Sequence, residues 1–300
     1  MITTTLFSIK HIGLKLANVK KEINMVSQLL KISPIKPSFD YIKDIYESCL
    51  ERYLQNPKNM GYALDSINNG RKILESDDEV DTYIAFYGAH HYYKLVEAFH
   101  ALDMSRFCDR QLEIFSYGCG AATDTCSLIS YCRAKAIKLP FKKLTLIEPS
   151  KIGLQRGIKY IQEALSDEEL NKINIKQIHK TLQELEEYDL NSESEIQKLH
   201  VFSNILDLQE INLDNLALML KKTQKEYNYF ICVNPKDQEG QSKRRIDDFY
   251  NKLSNLFKML DISINDKNIT SKKIWIMRNN HFSDQYPIYR YHRIFQANSI

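Results

Sequence analysis

The stretch Leu112-Glu-Ile-Phe-Ser-Tyr-Gly-Cys-Gly-Ala-Ala122 decides the fold of this chain. It begins as an apolar strand, passes through the glycines at positions 118 and 120, and leads into a helix. Glycine permits a sharp backbone bend and lets a ligand approach main-chain atoms that a side chain would otherwise cover. The helix that follows starts with N–H groups that have no backbone partner. The stretch therefore predicts a ligand-binding turn between a strand and a helix.

Short apolar segments recur around this turn and alternate with helical stretches near residues 121–137, 150–166, 212–226 and 240–260. The predicted strands are Leu112–Tyr117, Leu144–Ile147, Ile173–Ile178, Leu199–Asn204 and Tyr229–Val233. Strands that are apolar throughout and are each followed by a helix predict a parallel sheet covered on both faces.

Two further strand-like segments, Ile262–Ile264 and Lys273–Met277, follow with no helical pattern between them. They predict an antiparallel hairpin at one edge of the sheet. Residues 109–282 are therefore interpreted as an α/β domain, Rossmann-like, with a mostly parallel seven-stranded sheet. The polar stretch Glu184–Lys198 is expected to be a loop or a short helix.

Residues 1–108 have a different pattern, with apolar residues every three or four positions and no strand-like alternation. Helices are predicted near 8–31, 38–54, 60–75 and 78–104, and Ser76-Asp77-Asp78 is expected to supply the N-cap of the last. This part is interpreted as an all-helical N-terminal domain that covers the sheet domain as a lid. Residues 283–300 are interpreted as a basic and aromatic C-terminal tail.

An acidic residue, Glu148, ends the second predicted strand, where the carboxyl edge of a parallel sheet gathers its ligands. The glycine turn and this acid together indicate a nucleoside ligand. A dinucleotide site is disfavoured, because position 123 is Thr123 instead of a third glycine and because Glu148 follows Gly120 by 28 residues. The dinucleotide pattern places its acid about 20 residues on. A phosphate-binding loop is disfavoured too, since no Gly-Lys-Ser/Thr follows the turn.

These motifs resemble the class I S-adenosylmethionine-dependent methyltransferases. In that family the first strand ends in an acid-x-Gly-x-Gly-x-Gly pattern, the second ends in an acid, and a hairpin finishes the sheet. The resemblance covers about residues 109–280 and implies methyltransferase activity with S-adenosylmethionine as the cofactor. The cofactor-binding residues that it implies are Ser116, Tyr117, Gly118, Cys119, Gly120, Glu148, Pro149, Thr181, Leu182, Ser203, Asn204 and Ile205.

The chain departs from the family pattern at three places. Ser116 stands where the family has an acid, Ala122 stands at the third glycine, and His179 and Lys180 follow strand three where an acid is usual. Alanine at position 122 costs little conformational free energy if its φ angle is negative. These departures leave open a second interpretation, a catalytically degenerate binding module that docks in a larger complex.

The methyl acceptor is left open between RNA and protein. Asn204-Ile-Leu-Asp207 is not the Asn-Pro-Pro-aromatic motif of amino-methylating members, which disfavours adenine N6 and glutamine. Asn204 is a candidate for orienting the substrate, whereas Asp207 is interpreted as a surface or capping carboxylate. In the helix before the turn, Tyr87, His91 and Lys94 recur at helical spacing and are predicted to face the cleft, with His91 as general base. The alternative is that this helix only packs between domains.

Composition excludes few classes of protein. Lysine and arginine exceed aspartate and glutamate by only 41 − 38 = 3. The tail Tyr289-Arg-Tyr-His-Arg293, with Arg290 and Arg293, mixes aromatic residues with cations and is a candidate for a nucleic-acid or protein contact. No apolar run approaches the ~20 residues that cross a bilayer, and no secretory signal is recognised. The six cysteines form no CxxC pair, so no metal site is predicted. The chain is expected to be cytoplasmic and not to contact membranes.

Overall fold

The structure is a computed structural model that describes residues 39–193, 195–237 and 239–299. The helix predicted near 8–31 lies outside these residues. In the described part of the chain, no helix is both long and apolar enough to cross a membrane.

A seven-stranded sheet forms the centre of the fold, with the strand order β3-β2-β1-β4-β5-β11-β6. The first five strands pair in parallel, and β11 is antiparallel to both of its neighbours. The bounds are β1 Leu112–Tyr117, β2 Phe141–Ile147, β3 Asn174–Ile178, β4 Gln197–Ser203, β5 Asn228–Pro235, β6 Phe257–Asn265 and β11 Arg290–Ser299. The predicted Rossmann-like α/β class, with a mostly parallel sheet and antiparallel strands at one edge, is confirmed.

Strand β1 occupies the middle of the parallel part and is buried along its whole length. Its last residue, Tyr117, pairs with Ile147 at the end of β2 and with Phe202 near the end of β4. The carboxyl ends of these three strands therefore lie side by side. This edge is where ligands gather in open parallel sheets.

Nine α-helices are described in this part of the chain. Their bounds are α1 Glu47–Gln55, α2 Met60–Ser66, α3 Asp77–Tyr83, α4 Ala89–Leu102, α5 Thr123–Ala134, α6 Lys151–Ala164, α7 Asp167–Leu170, α8 Leu213–Thr223 and α9 Gln241–Ser254. A π-helical turn, Ile84–Gly88, joins α3 to α4, and a second one, Ile42–Tyr46, precedes α1. The predicted N-cap is present, because Ser76 Oγ accepts a hydrogen bond from the Glu79 N–H.

The helices cover the two faces of the sheet with two hydrophobic clusters. One cluster joins the N-terminal helices, α5 and α6 to strand residues such as Ile114, Leu144 and Leu199. The other joins α8 and α9 to Phe202 and Phe230. The helices before residue 108 thus share a hydrophobic core with the sheet.

The seventh strand of the sheet comes from the segment interpreted as a tail. Arg290–Ser299 pairs with β5 and β6, so the prediction that Lys273–Met277 forms the edge hairpin is wrong. Instead, β8 Ile274–Ile276 pairs with β9 His281–Ser283 in a separate two-stranded sheet, and β7 Ile269–Thr270 pairs with β10 Pro287–Ile288 in another. The sequence does not predict Arg290–Ser299 as a strand, because the segment contains two arginines whose surroundings only folding creates. Arg293 is paired with two aspartates, and Arg290 is 2% exposed.

Two predicted helices are too long. The helix predicted at 60–75 ends at Ser66, because Asn68 and Asn69 have positive φ angles and the chain turns there. Asparagine and glycine are the residues that tolerate this conformation best. The helix predicted at 240–260 ends at Ser254, and β6 begins at Phe257.

The turn after β1 packs tightly against α6. Ala122 has a φ of 56°, in the left-handed region, so alanine is not cheap at this position. A left-handed non-glycine residue costs roughly 1–2 kcal/mol. The neighbouring helix residue, Gly157, allows the approach, since a Cβ there would lie 2.8 Å from Ala122 Cβ and 2.9 Å from the Ala121 carbonyl carbon.

We expect Gly157→Ala to lower the free energy of unfolding by about 1–3 kcal/mol, because the new methyl group meets backbone atoms. Ala122→Gly removes both the strained Cβ and one clash, so the double variant should recover part of this loss. Urea denaturation measures both effects. Gly61→Ala, where the nearest atom is Asn59 Oδ1 at 3.4 Å, is the matched control and should be neutral or slightly stabilising. Equal stability of the Gly157→Ala and Gly61→Ala proteins would contradict the close approach.

Candidate active site

A cavity of about 1020 Å³ opens at the carboxyl ends of the parallel strands. Its wall combines the turn after β1, the ends of β2, β4 and β5, the loop after β3, and one side of the α3–α4 helix. Of the residues singled out by sequence, it brings together Tyr87, His91, Lys94, Gly118, Gly120, Glu148, Pro149, Thr181, Leu182, Ser203, Asn204 and Ile205. Ser116, Tyr117 and Cys119 are not part of this wall.

The two glycines of the turn have different tasks. Both have positive φ angles, 62° at Gly118 and 54° at Gly120. A Cβ at Gly118 would lie 2.6 Å from Ile205 Cδ1, so this glycine admits the side chain that follows β4. A Cβ at Gly120 would meet no atom within 4 Å. Gly120 therefore leaves open space in the cavity wall that any side chain would fill.

Glu148, at the end of β2, is hydrogen-bonded to the turn after β1. Its Oε2 accepts a hydrogen bond from the Gly120 N–H at 2.8 Å, and its Oε1 accepts one from the Ser150 N–H at 2.9 Å. Burial raises the pKa of Glu148, and the two backbone N–H groups act in the opposite direction by stabilising the carboxylate. Each oxygen keeps a second lone pair, so the carboxylate can still accept hydrogen bonds from a ligand.

The three turn residues outside the wall have partners in the protein interior. The Ser116 hydroxyl donates to Asp124 Oδ2, and the Tyr117 hydroxyl is 3.0 Å from His200 Nδ1. Cys119 is buried, which raises the pKa of its thiol. Asp124 was not singled out by sequence, yet it supplies a buried acid beside the serine that departs from the family pattern. Burial raises the pKa of Asp124 to about 6.

The helical wall of the cavity is aromatic. Tyr83 and Tyr87 contact each other with ring centroids 5.3 Å apart, and Tyr87 stacks on His91 at 6.1 Å and 18°. The π-helical turn Ile84–Gly88 lies among these residues, and such turns are frequent at functional sites. Burial, followed by the nearby Lys94 and His90, lowers the pKa of His91 well below its usual value. His91 is therefore neutral at pH 7 and a weak base; its assignment as general base stays a prediction.

Lys94 reaches across the cavity to the end of β4. Its Nζ donates to Asn204 Oδ1, and Asn204 Nδ2 donates to Ser203 Oγ at 2.8 Å. Asn204 has a φ of 57°, a left-handed conformation that asparagine tolerates. Burial lowers the pKa of Lys94 to about 7, although the charge of Asp207 acts against this shift.

Sequence reasoning missed several parts of the wall. The loop Asn68–Leu74 and the segment Tyr286–Tyr289 both line the cavity, and the Asn68-Asn69-Gly70 turn was the available signal for the first. Asp207 also lines it, and its buried Oδ1 has no hydrogen-bond partner within the described residues. A capping role does not account for that oxygen. No signal in the sequence pointed to Tyr286–Tyr289, which long-range folding brings to the cavity.

The basic and aromatic segment at the C-terminus does not present Arg290 and Arg293 as free surface cations. Arg290 is buried, and its Nη1 lies 2.6 Å from His292 Nδ1. Arg293 pairs with Asp247 at 3.0 Å and with Asp261 at 3.2 Å, and its guanidinium lies over the Tyr250 ring. Arg290 is therefore covered, and Arg293 is already paired with two carboxylates, so the structure does not support the predicted contact through these two cations.

Comparison with known proteins gives matches at the level of solved structures. No family model matches the sequence, and no curated protein matches it. Structural matches include a precorrin-6y C5,15-methyltransferase from Geobacter metallireducens, with 10% identity, a TM-score of 0.40 and coverage of 76% of this chain and 92% of that chain. The N-methyltransferase NodS from Bradyrhizobium japonicum matches with 8% identity, a TM-score of 0.39 and coverage of 68% and 97%.

A third match is the plantazolicin methyltransferase BpumL in complex with S-adenosylhomocysteine, with 13% identity, a TM-score of 0.40 and coverage of 85% of this chain and 95% of that chain. At these identities and scores the matches do not decide what this cavity binds. That question depends on the residues of the cavity themselves.

Burial of Lys94 has a consequence for stability. Its pKa is about 7 in the folded state and about 10.4 in an unfolded chain, so the unfolded state binds more protons between these values. The destabilising effect of this lysine is therefore complete below pH 7 and decreases as pH rises from 7 towards 10. We expect the stability gain from Lys94→Met to shrink by about 2 kcal/mol between pH 7 and pH 9.

Chemical denaturation at the two pH values measures this difference. Lys159→Met, at an exposed position on α6, serves as the matched control and should give the same small effect at both. A stability gain from Lys94→Met that is the same at pH 7 and pH 9 would show that Lys94 keeps an ordinary pKa.

Proposed function

We propose that the chain is an S-adenosylmethionine-dependent methyltransferase. The observation that carries the proposal is the open space at Gly120 beside the buried carboxylate of Glu148. A nucleoside needs a surface without side chains for close approach and an acceptor for its ribose hydroxyls. Both lie at the same strand edge, on neighbouring strands that the sheet places in register.

The dimensions of the cavity support this proposal. Small-molecule sites usually measure roughly 300–1,000 Å³, so a cavity of about 1020 Å³ has room for a cofactor and part of a second molecule. The free lone pairs of Glu148 would accept the ribose hydroxyls. Pro149, Thr181 and Leu182 line the cavity beyond it, on the side where the family resemblance implies the adenine.

The residues after β4 would position the second molecule. When bound, S-adenosylmethionine supplies a methyl group on a positively charged sulfur. Ser203 and Asn204 would orient the acceptor towards that group, and the aromatic wall of Tyr83 and Tyr87 would exclude water. Methyl transfer needs chiefly such in-line placement, plus a base when the acceptor carries a proton.

The methyl acceptor remains to be identified by experiment. RNA and protein are the two acceptors to test, and neither is favoured by the buried Arg290 or the paired Arg293 of β11. The open cavity and the intact Gly120–Glu148 contact favour a domain that holds the cofactor over one that has lost it, and methyl transfer separates an enzyme from a non-catalytic binding module. Methyl transfer from labelled S-adenosylmethionine to total cellular RNA, and separately to protein, tests this part of the proposal.

We expect Gly120→Ala to reduce the affinity for S-adenosylmethionine and S-adenosylhomocysteine by at least about 100-fold, because its methyl group fills the cofactor space. Glu148→Gln should reduce it by roughly 10- to 100-fold, since hydrogen bonds to a charged acceptor contribute about 1.5–3 kcal/mol. Calorimetry measures both effects. Glu163→Ala, at an exposed position on α6, is the control. Saturable binding of NAD instead, or tight binding of S-adenosylhomocysteine to Gly120→Ala, would sink the proposal.

A further inference from the structure

Lys94 is buried in the cavity wall without a charged partner. Lys94 is 3% exposed, and its Nζ donates a hydrogen bond to the neutral side-chain amide of Asn204. Within residues 39–193, 195–237 and 239–299, no carboxylate forms an ion pair with it. A buried ammonium group without such a pair is costly, so Lys94 loses its proton readily.

Charged and titratable groups face Lys94 from each element packed around it. On its own helix, burial lowers the pKa of His90 to about 4, and burial also lowers the pKa of His91 well below its usual value, so both rings are neutral at pH 7. Asp207, in the loop after β4, favours the charged form of Lys94. On β11, which packs against α4, burial lowers the pKa of Arg290, and the charge of Glu97 acts in the opposite direction. The remaining charged residues of the wall are Arg71, Lys72, Glu148, Lys180, Glu210 and Lys236.

The position of Lys94 places it close to the site expected for the positively charged sulfur of the cofactor. It is hydrogen-bonded to Asn204, the residue that follows β4, on the side of the cavity where the acceptor and the reactive end of the cofactor would meet. Burial already places the pKa of Lys94 at about 7. A second positive charge in the same cavity would lower it further, because like charges disfavour each other's charged forms.

We propose that Lys94 is the proton acceptor of this site, and that the positive charge of S-adenosylmethionine keeps it neutral. This inference rests on the proposed function. In the transfer step, a lone pair of the acceptor forms a bond to the methyl carbon, and the carbon–sulfur bond breaks with its electrons going to sulfur. The proton of the acceptor moves to Lys94 Nζ. The acceptor is therefore a group that must lose a proton, such as a hydroxyl.

The sign of the coupling can be measured without an acceptor. Because the cofactor-bound protein has the lower Lys94 pKa, S-adenosylmethionine binding releases a proton near pH 7. S-adenosylhomocysteine has no sulfonium charge and should lack this release. With a starting pKa of about 7, roughly half a proton more should leave with S-adenosylmethionine at pH 7. Its affinity relative to S-adenosylhomocysteine should rise about tenfold between pH 6 and pH 8.

Calorimetry with each ligand in two buffers of different ionisation enthalpy gives the number of protons released. Lys94→Met and Lys94→Gln both remove the titrating amine, so that one misfolded variant does not end the test. Any proton that these variants still release comes from another group, such as the ligand's own amino group. Lys198→Met is the matched control, because Lys198 is buried at the opposite end of β4 and donates to the Glu226 carbonyl at 3.1 Å.

The expected result is an excess release with S-adenosylmethionine in the wild-type and Lys198→Met proteins that is absent from both Lys94 variants. An equal release with the two ligands, or an unchanged excess in the Lys94 variants, would overturn the role of Lys94 and leave the proposed function intact. If neither ligand binds, the proposed function fails and the role of Lys94 fails with it.

Discussion

The pair of hydrogen bonds that Glu148 accepts from Gly120 and Ser150 holds the site together. The Glu148 carboxylate, at the end of β2, fixes the turn after β1 through Oε2 and the start of α6 through Oε1. The parallel register of β1 and β2 brings these groups together, since Tyr117 and Ile147 are direct partners. The carboxylate is buried, so its charge depends on those N–H groups, and the shape of the turn depends on the carboxylate in return.

The same turn is also under local strain. Ala122 holds a left-handed conformation, and Gly157 is needed so that α6 can approach it. Such strain persists where the surrounding structure determines the backbone, and it is common at ligand sites. A departure from the glycine pattern is thus tolerated at position 122. Ser116 departs from the pattern in another way, because its hydroxyl binds Asp124, which places an acid close to the turn.

Local signals in the sequence were sufficient to predict the strands of the parallel half of the sheet. Leu112–Tyr117 is predicted at its observed bounds, and the strands that follow differ by a few residues at their ends. The antiparallel edge could not be found in this way, because Arg290–Ser299 pairs with strands that end at Pro235 and Asn265, and its two arginines are paired or covered only in the folded protein. For the site, the glycines and Glu148 were visible as a motif. The unpartnered oxygen of Asp207 and the segment Tyr286–Tyr289 were not, because only the tertiary structure brings them to the cavity.

The most direct test of this account is a crystal structure of the protein with S-adenosylhomocysteine. The account requires both ribose hydroxyls within hydrogen-bond distance of the Glu148 carboxylate, with the ligand passing over Gly120 where no side chain projects. A ligand bound elsewhere, or one whose ribose leaves Glu148 bonded only to Gly120 and Ser150, would contradict it.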